Sequence, residues 1–463
     1  MLCWCYCRGF AVHHGQLART SFVRLSAAYF PAFSNIRQTS SSSGSYTIDV
    51  VHKPPQRVTT GVLFLHWGEP RSTKEAHSHV QESIHQFYRL PRWIASRIAK
   101  FYLQLYGEQM EKRYFLPLRQ KPNLSRSDAD WRLAQCQQLQ RTLENLMPEA
   151  QSVRCYLAQL TSQQYSMEQA LLQIQEEPPS QVIVFPQYPH YWCFHTGRCL
   201  TELSRALTEQ SVAVFSETDE PQVQIQSDYE NTVEQPKKPL LLKLFGNPAA
   251  FNMTPSIQWS LIDRWATHPA LTDAWAKIIQ EKVQTFPTYE RDSIALLFCA
   301  PKMFGFGAGH CQLEFAASCH RIAECLRFRF PYKLAYYTGW NNWWSSLRNR
   351  VPLSSMTVPA AMRHLVKRGF RNILLVPVAH TVPSIDTDVL LSELADHIAT
   401  KLPAGRVEVL SPPGLHPTFV HGMAEIVKNH ILDGSPTVAT AQFSLRCQRC
   451  LRGDCKLSKG LFH

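Results

Sequence analysis

Short apolar runs alternate with amphipathic helical stretches in two separate parts of this chain, and that alternation limits the fold more than any other feature. In the first part, residues 61–66 (GVLFLH) are a continuous apolar run that ends in His-Trp-Gly-Glu-Pro, the pattern of a buried strand followed by a turn. Helical patterns follow at 73–88 and 91–109, strands at 153–157 and 181–185, a helix at 166–175 between those strands, and another at 201–210. In the second part, a long amphipathic helix at 263–282 leads into strands at 293–299, 332–337, 372–378 and 406–410. Helices at 312–328, 358–368, 389–401 and 417–432 alternate with them. Strands alternating with helices make parallel sheets covered on both faces. The expected fold is therefore α/β, with two doubly wound, Rossmann-like parallel-sheet domains and a ligand cleft at the carboxyl ends of the strands.

Three other segments stand apart from this rhythm. No acid precedes Asp49, while Arg8, Arg19, Arg24 and Arg37 and a serine run at 40–43 give residues 1–45 the composition of a mitochondrial transit peptide. Residues 215–256 are polar and long for a connection, which marks a surface insertion or a disordered loop. The C-terminal tail carries Cys447, Cys450 and Cys455 in a basic stretch. Three thiols at this spacing converge on one soft centre, zinc or an iron–sulfur unit, if a fourth ligand comes from elsewhere; free thiols or a disulfide are the alternative. The formal net charge of +12 suits anionic lipid surfaces, nucleic acids or acidic small molecules without choosing among them. No apolar run reaches the roughly 18 residues of a membrane-spanning helix.

Several motifs together resemble the ferrochelatase family, over roughly residues 58–463. The segment Trp259-Ser-Leu-Ile-Asp-Arg-Trp-Ala-Thr-His268 is similar to the family's Trp-Ser-x-Ile-Asp-Arg-Trp-x-Thr-His. Tyr188-Pro-His-Tyr-Trp-Cys193-Phe-His-Thr-Gly197 is similar to the family's Tyr-Pro-Gln-Tyr segment leading into Thr-Gly, and Asn372-Ile-Leu-Leu-Val-Pro-Val-Ala matches the strand before the pocket. The tail is similar to the animal-type extension that holds a [2Fe-2S] cluster. The resemblance supplies Cys193 as the fourth ligand beside Cys447, Cys450 and Cys455. It implies a chelatase-type fold divided into a first domain at 58–260, a second at 261–433 and a cluster-binding tail at 434–463. It also implies ferrous iron and protoporphyrin IX as substrates in haem synthesis, on the matrix side of the inner mitochondrial membrane. A homodimer is expected, with no nucleic-acid partner. The helix bearing Trp93, Ile94, Ile98, Phe101, Tyr102 and Leu105 beside Arg92, Arg97 and Lys100 has the character of an interfacial helix; a helix packing its apolar face on the domain is the alternative.

The resemblance fails at the positions that carry chemistry. Where the family has a Ser-Ala-His segment, with a histidine to take pyrrole protons as iron enters, this chain has Cys299-Ala300-Pro301. Proline has no titratable group. The family's facing Ser-Asp-His-Ile-Glu matches Val382-Pro383-Ser384-Ile385-Asp386, so a carboxylate survives and the histidine does not; an acid one turn on has become Leu390. Bulky residues at 114–118 replace a glycine-rich loop. Tyr102 and Met110 stand where an Arg and a Tyr approach the porphyrin, and Cys155 separates Arg154 from Tyr156 where the family has an adjacent pair. His66 and Trp67 replace the residues over the porphyrin face. The resemblance leaves His268, Asp386 and Glu425 as catalytic candidates, and Trp67, Tyr102, Met110, Tyr156 and His380 as cleft candidates. The expectation is a family member with reduced or lost activity. The alternatives are an active enzyme using His380 or His66 with Asp386, and a non-catalytic [2Fe-2S] sensor or scaffold.

Overall fold

The strands form where large and β-branched apolar residues run without interruption. The structure is a computed structural model that describes residues 60–433, apart from 89, 121–126, 148–151, 218–256, 263, 303–307, 340–355 and 402–404. All of these belong to one unit, Gln56–His463. The expected leader at 1–45, residues 218–256 of the insertion expected at 215–256, and the tail at 434–463 lie outside the described residues, while 215–217 end a helix.

Strands β1 (Thr60–His66), β2 (Val153–Gln159), β3 (Gln181–Pro186) and β4 (Gln258–Leu261) form one parallel sheet in the order β2-β1-β3-β4. Strands β5 (Ile294–Pro301), β6 (Tyr332–Tyr337), β7 (Asn372–Val376) and β8 (Val407–Val409) form a second in the order β6-β5-β7-β8. Every residue of β1 and β7 is buried, as strands covered on both faces require. Registers agree on both sides of each central strand: Leu63 pairs with Tyr156 and Val184, and Phe298 with Leu334 and Val376. In each sheet the chain enters at an inner strand, steps to one edge and returns across the first. The order reverses between β1 and β3 and between β5 and β7, and ligands of open α/β sheets bind at such points.

The helices are α1 (Thr73–Tyr88), α2 (Arg92–Met110), α3 (Leu116–Gln120), α4 (Asp128–Leu146), α5 (Met167–Glu176), α6 (Arg198–Glu217), α7 (Pro269–Gln284), α8 (Ala308–Cys325), α9 (Val358–Lys367), α10 (Ser392–Ala399) and α11 (Pro417–Asp433). Successive strand residues face opposite sides. Val62 and Phe64 of β1 therefore join Leu296 and Phe298 of β5 in one core, with Leu139 of α4, Trp275 of α7, Phe315 of α8 and Phe419 of α11. Leu63 and Leu65 turn the other way, onto α5 and α6. Ala295 and Leu297 turn onto α9 and α10. The two sheets thus share their largest core and do not pack as separate halves. No described helix is long and apolar enough to cross a membrane.

Two stretches differ from the sequence expectation. Residues 263–282 do not form one helix. Pro269 occupies the first helical turn, and His268 before it has extended backbone and acts as the cap. The His268 Nδ1 accepts from the Ala270 backbone N–H at 3.1 Å, so α7 begins there, after β4 and a buried turn. Residues 128–146 form α4, for which periodicity gave little signal, because its buried side mixes Arg132, Gln135 and Cys136 with Leu139 and Leu143.

Helices α7 and α11 touch backbone to backbone where Gly422 meets Ala270. A Cβ on Gly422 would lie 2.5 Å from Ala270 Cα. Alanine favours a helix over glycine by about 1 kcal/mol, but this contact reverses the sign. Gly422→Ala is expected to destabilise the fold by about 1–3 kcal/mol, the usual cost of overpacking a close-packed core. Urea unfolding of the variant checks this, and an unchanged or raised midpoint contradicts the packing.

Candidate functional site

The two reversal points open toward each other. Residues from the carboxyl ends of β1 (His66, Trp67, Glu69), β3 (Gln187, Tyr188, His190), β5 (Pro301) and β7 (His380, Thr381) line one cavity of about 110 Å3, with Asp128 and Arg132 of α4 and Asp386 closing it. The alternation that sends Val62 and Phe64 inward sends His66 inward as well.

Helix α4 supplies the permanent charge. Ser127 and Asp130 form a reciprocal cap, the Ser127 Oγ accepting from Asp130 N at 2.9 Å and Ser127 N donating to Asp130 Oδ2 at 2.8 Å. That cap sets the start of a helix on which Asp128 and Arg132 stand one turn apart, both buried. Arg132 Nε donates to Asp128 Oδ1 at 2.9 Å, and Gln159 Nε2 donates to Oδ2 at 2.9 Å. Burial alone would raise the Asp128 carboxyl, but Arg132 and His66 outweigh it and hold the group well below the usual carboxylate range. His66 Nδ1 lies 3.0 Å from the Gly68 N–H and 3.2 Å from Asp128 Oδ2. A single ring nitrogen serves the donor or the carboxylate, not both. Burial and then the Arg132 charge push His66 down to about 4, so the ring is neutral at pH 7 and the contact is not an ion pair.

A second group surrounds His380. Its Nε2 lies 2.6 Å from the Tyr337 hydroxyl and its Nδ1 3.3 Å from Ser384 Oγ. Burial, then Arg132 and His66, push His380 down to about 3. The 3.9 Å approach of His380 Nε2 to Asp386 Oδ2 is therefore also a contact with a neutral ring. Burial and then Asp386 raise the Tyr337 phenol well above its ordinary value, which keeps it a hydrogen-bond donor. Glu69 accepts from the Ile385 backbone N–H through both oxygens, at 3.0 and 3.1 Å. Burial, then Asp128 and Asp386, raise Glu69 well above the carboxylate range.

Rings fill much of the remaining space. His66 stacks on Tyr188 with centroids 4.7 Å apart, and His195 lies 5.0 Å from Tyr188, 5.3 Å from Trp67 and 4.5 Å from Trp192. Trp67 Nε1 donates to His79 Nδ1 at 3.2 Å. Burial and neighbouring imidazoles hold His195 well below its ordinary value. Burial pushes His190 down to about 3, and its Nε2 lies 2.9 Å from Ser318 Oγ.

Of the residues singled out from sequence, Trp67, His380 and Asp386 meet at this cavity, with His66, Ser384 and Pro301. The others stand elsewhere. His268 caps α7, and Glu425 lies on the partly exposed side of α11 near His421 and Lys428 at 3.8 and 3.6 Å. Helical spacing explains Glu425, since Met423, Ala424 and Val427 take the buried face. Met110 packs with Phe115, Ile385 and Val389, and Tyr102 packs beside them. Tyr156 belongs to the outer layer of the first sheet with Leu63 and Met167. Cys193 is buried at the start of a wide π turn, Cys193–Gly197, and is not in a disulfide. Cys447, Cys450 and Cys455 lie outside the described residues. Among the described residues no group of three or more His, Cys, Asp or Glu is arranged to hold a metal ion. Sequence reasoning missed Asp128 and Arg132, for which Ser127-x-x-Asp130 is the available signal. It also left Tyr188 and His195 unassigned inside a motif it had noted.

A family model described as Ferrochelatase matches residues 59–232 and 246–431. A mitochondrial ferrochelatase of Drosophila melanogaster is 24% identical over 413 residues, covering 88% of this chain and 92% of that protein. That of Homo sapiens is 22% identical over 417 residues, covering 89% and 85%. Among solved structures, the sirohydrochlorin chelatase SirB of Bacillus subtilis subspecies spizizenii in complex with cobalt is similar at a TM-score of 0.36 and 8% identity, over 80% of this chain and 94% of that one. A likeness that low carries no argument about the site.

The buried imidazoles set a pH dependence. His66, His190 and His380 have folded values of about 4, 3 and 3 against 6.5 in the unfolded chain. The unfolded state therefore takes up protons that the folded state refuses, and stability present above pH 6.5 is lost as pH falls toward 4. Each group is expected to cost about 1–2 kcal/mol between pH 7 and 5. Thermal unfolding across that interval measures it. Asp128 acts only at lower pH, and Glu69, raised by burial and its acidic neighbours, acts in the opposite sense; the three histidines together outweigh that one group, so a Tm that is flat or rising from pH 7 to 5 contradicts neutral burial of the histidines.

Proposed function

The chain belongs to the ferrochelatase family, and from that premise we propose that it keeps the family's cleft but has lost most or all of the ability to insert ferrous iron into protoporphyrin IX. The observation that carries this reading is the proton chemistry of the cleft. Insertion releases two pyrrole protons, and a group over the ring must accept them. At the position matched to the family's histidine stands Pro301, which lines the cavity and has nothing to titrate. His380 is the nearest replacement, yet both of its ring nitrogens already face hydroxyls, and a group whose pKa sits near 3 is a weak base at neutral pH. His66 is likewise engaged at Nδ1 and held near 4. The volume argues the same way. A cavity of about 110 Å3 is small beside the roughly 300–1,000 Å3 of ordinary small-molecule sites.

The wider setting follows from the family. The protein acts in or beside haem biosynthesis in the mitochondrion, as the names of its relatives suggest. Cys193, Cys447, Cys450 and Cys455 form a four-thiolate donor set of the kind that holds a [2Fe-2S] cluster, and Cys193 fits that role in being buried and outside any disulfide. When bound, such a cluster supplies one-electron chemistry and ties the tail to the domain. On α2, Trp93, Phe101 and Leu105 are exposed although strongly apolar, with Arg97 over the Trp93 ring at 5.8 Å. An aromatic and basic face of this kind suits the surface of the inner mitochondrial membrane, on the matrix side. A homodimer is part of the same reading.

Two measurements test this. Iron insertion by the purified full-length protein is expected to fall at least about a hundredfold below the rate of a member that has the histidine, the usual contribution of a positioned base. A comparable rate overturns the reading, and His380→Ala and His66→Ala then identify the acceptor. For the cluster, Cys193→Ser is expected to abolish the visible absorption of the anaerobically purified protein. Undiminished colour removes Cys193 from the ligand set.

A further inference from the structure

Tyr191 is held by backbone and by ring beside Cys193. Its backbone N–H donates to Glu314 Oε2 of α8 at 2.6 Å. The other oxygen of that carboxylate accepts from Arg264 Nη1 at 2.9 Å, and the Arg264 guanidinium lies over the Tyr191 ring, 4.6 Å from its centroid. Arg264 and Glu314 are both buried, as charges can be when they are paired. A charge-assisted hydrogen bond and a cation–π contact thus fix the main chain and the ring of one residue.

The π turn Cys193–Gly197 folds back on that ring. The Gly197 N–H donates to Trp192 O at 3.4 Å, and Thr201 Oγ1 donates to Gly197 O at 2.8 Å. A Cβ on Gly197 would lie 3.0 Å from the Tyr191 hydroxyl oxygen and 3.7 Å from Cys193 Sγ. The hydroxyl and the sulfur therefore border one small space, and the missing side chain of Gly197 keeps it open. Tyr191, Cys193 and Gly197 are all buried, and hydrogen bonds are stronger where water is scarce.

We propose that the Tyr191 hydroxyl is a hydrogen-bond donor to the sulfur atoms of an iron–sulfur site at Cys193 and that it raises the reduction potential of that site. The inference rests on the reading of Cys193 as a cluster ligand and adds a residue that is not itself a ligand. An added electron increases the negative charge on the sulfurs. A donor aimed at them offsets that charge and favours the reduced form. Arg264 and Glu314 do not supply this hydrogen bond. They are positioning residues, which hold the phenol where Gly197 leaves room for it.

The test is a reductive titration of the anaerobically purified full-length protein, followed by visible absorption and electron paramagnetic resonance. Tyr191→Phe keeps the ring over Arg264 and removes the hydroxyl. It is expected to retain the iron content and the visible absorption of the wild-type protein. Its reduction equilibrium is expected to shift about tenfold toward the oxidised form, about 59 mV for a one-electron couple. Gly197→Ala puts a methyl group 3.0 Å from the hydroxyl oxygen, closer than ordinary contact, and is expected to shift the equilibrium the same way by a smaller factor. It reports even if Tyr191→Phe fails to hold iron. A purely structural Tyr191 would change iron content or thermal stability and leave the potential of the loaded protein where it was. An unchanged or higher potential in iron-loaded Tyr191→Phe overturns the proposal. If that variant holds no iron, an unchanged potential in Gly197→Ala overturns it instead. A wild-type protein without the absorption removes the cluster reading itself, and this proposal with it.

Discussion

A guanidinium buried where two sheets converge cannot give up its proton, and the state of the cleft follows from that. Arg132 pairs with Asp128 along one edge and holds that carboxylate ionised against its burial. The same charge acts on His66 and His380 and helps keep both rings neutral. Neutral rings stack and accept hydrogen bonds where imidazolium groups would repel one another. The layer of His66, Tyr188, His195 and Trp192 depends on this. Removing Asp128 alone would strand a buried charge, the costly way to break such a pair.

The fold explains why this chemistry sits where it does. Both sheets reverse their strand order beside the same cavity, and a shared core that includes α4, α7, α8 and α11 joins them. The hydrogen bonds from the Ile385 N–H to Glu69 span 316 positions of sequence and join the end of β1 to the segment after β7. A scaffold of this kind positions side chains accurately whatever they are. Here they include a proline, several weakly basic imidazoles and a guanidinium paired with a carboxylate, a set poorly suited to taking protons from a porphyrin.

Much of the fold was legible in the sequence, for one physical reason. Strands buried on both faces read as unbroken apolar runs, and β1, β3, β5 and β7 are such runs. Helix α4 was not legible, because the face it buries is partly polar and carries the Arg132–Asp128 pair. In the site, Trp67, His380 and Asp386 were found through resemblance, and they do meet. His268 and Glu425 came from the same resemblance, yet a helix cap and an outward helical position take them away from the lining. The ring layer was not legible because it depends on which strand ends lie opposite each other, a matter of topology and not of local pattern.

The central claim is that the cleft has lost the proton chemistry of iron insertion, and a cavity of about 110 Å3 implies that a tetrapyrrole binds only weakly as well. Fluorescence titration of protoporphyrin IX with the purified full-length protein tests it most directly. The account predicts no saturable one-to-one complex tighter than about 10 μM, a binding free energy of about −7 kcal/mol. A one-to-one complex in the nanomolar range would contradict it.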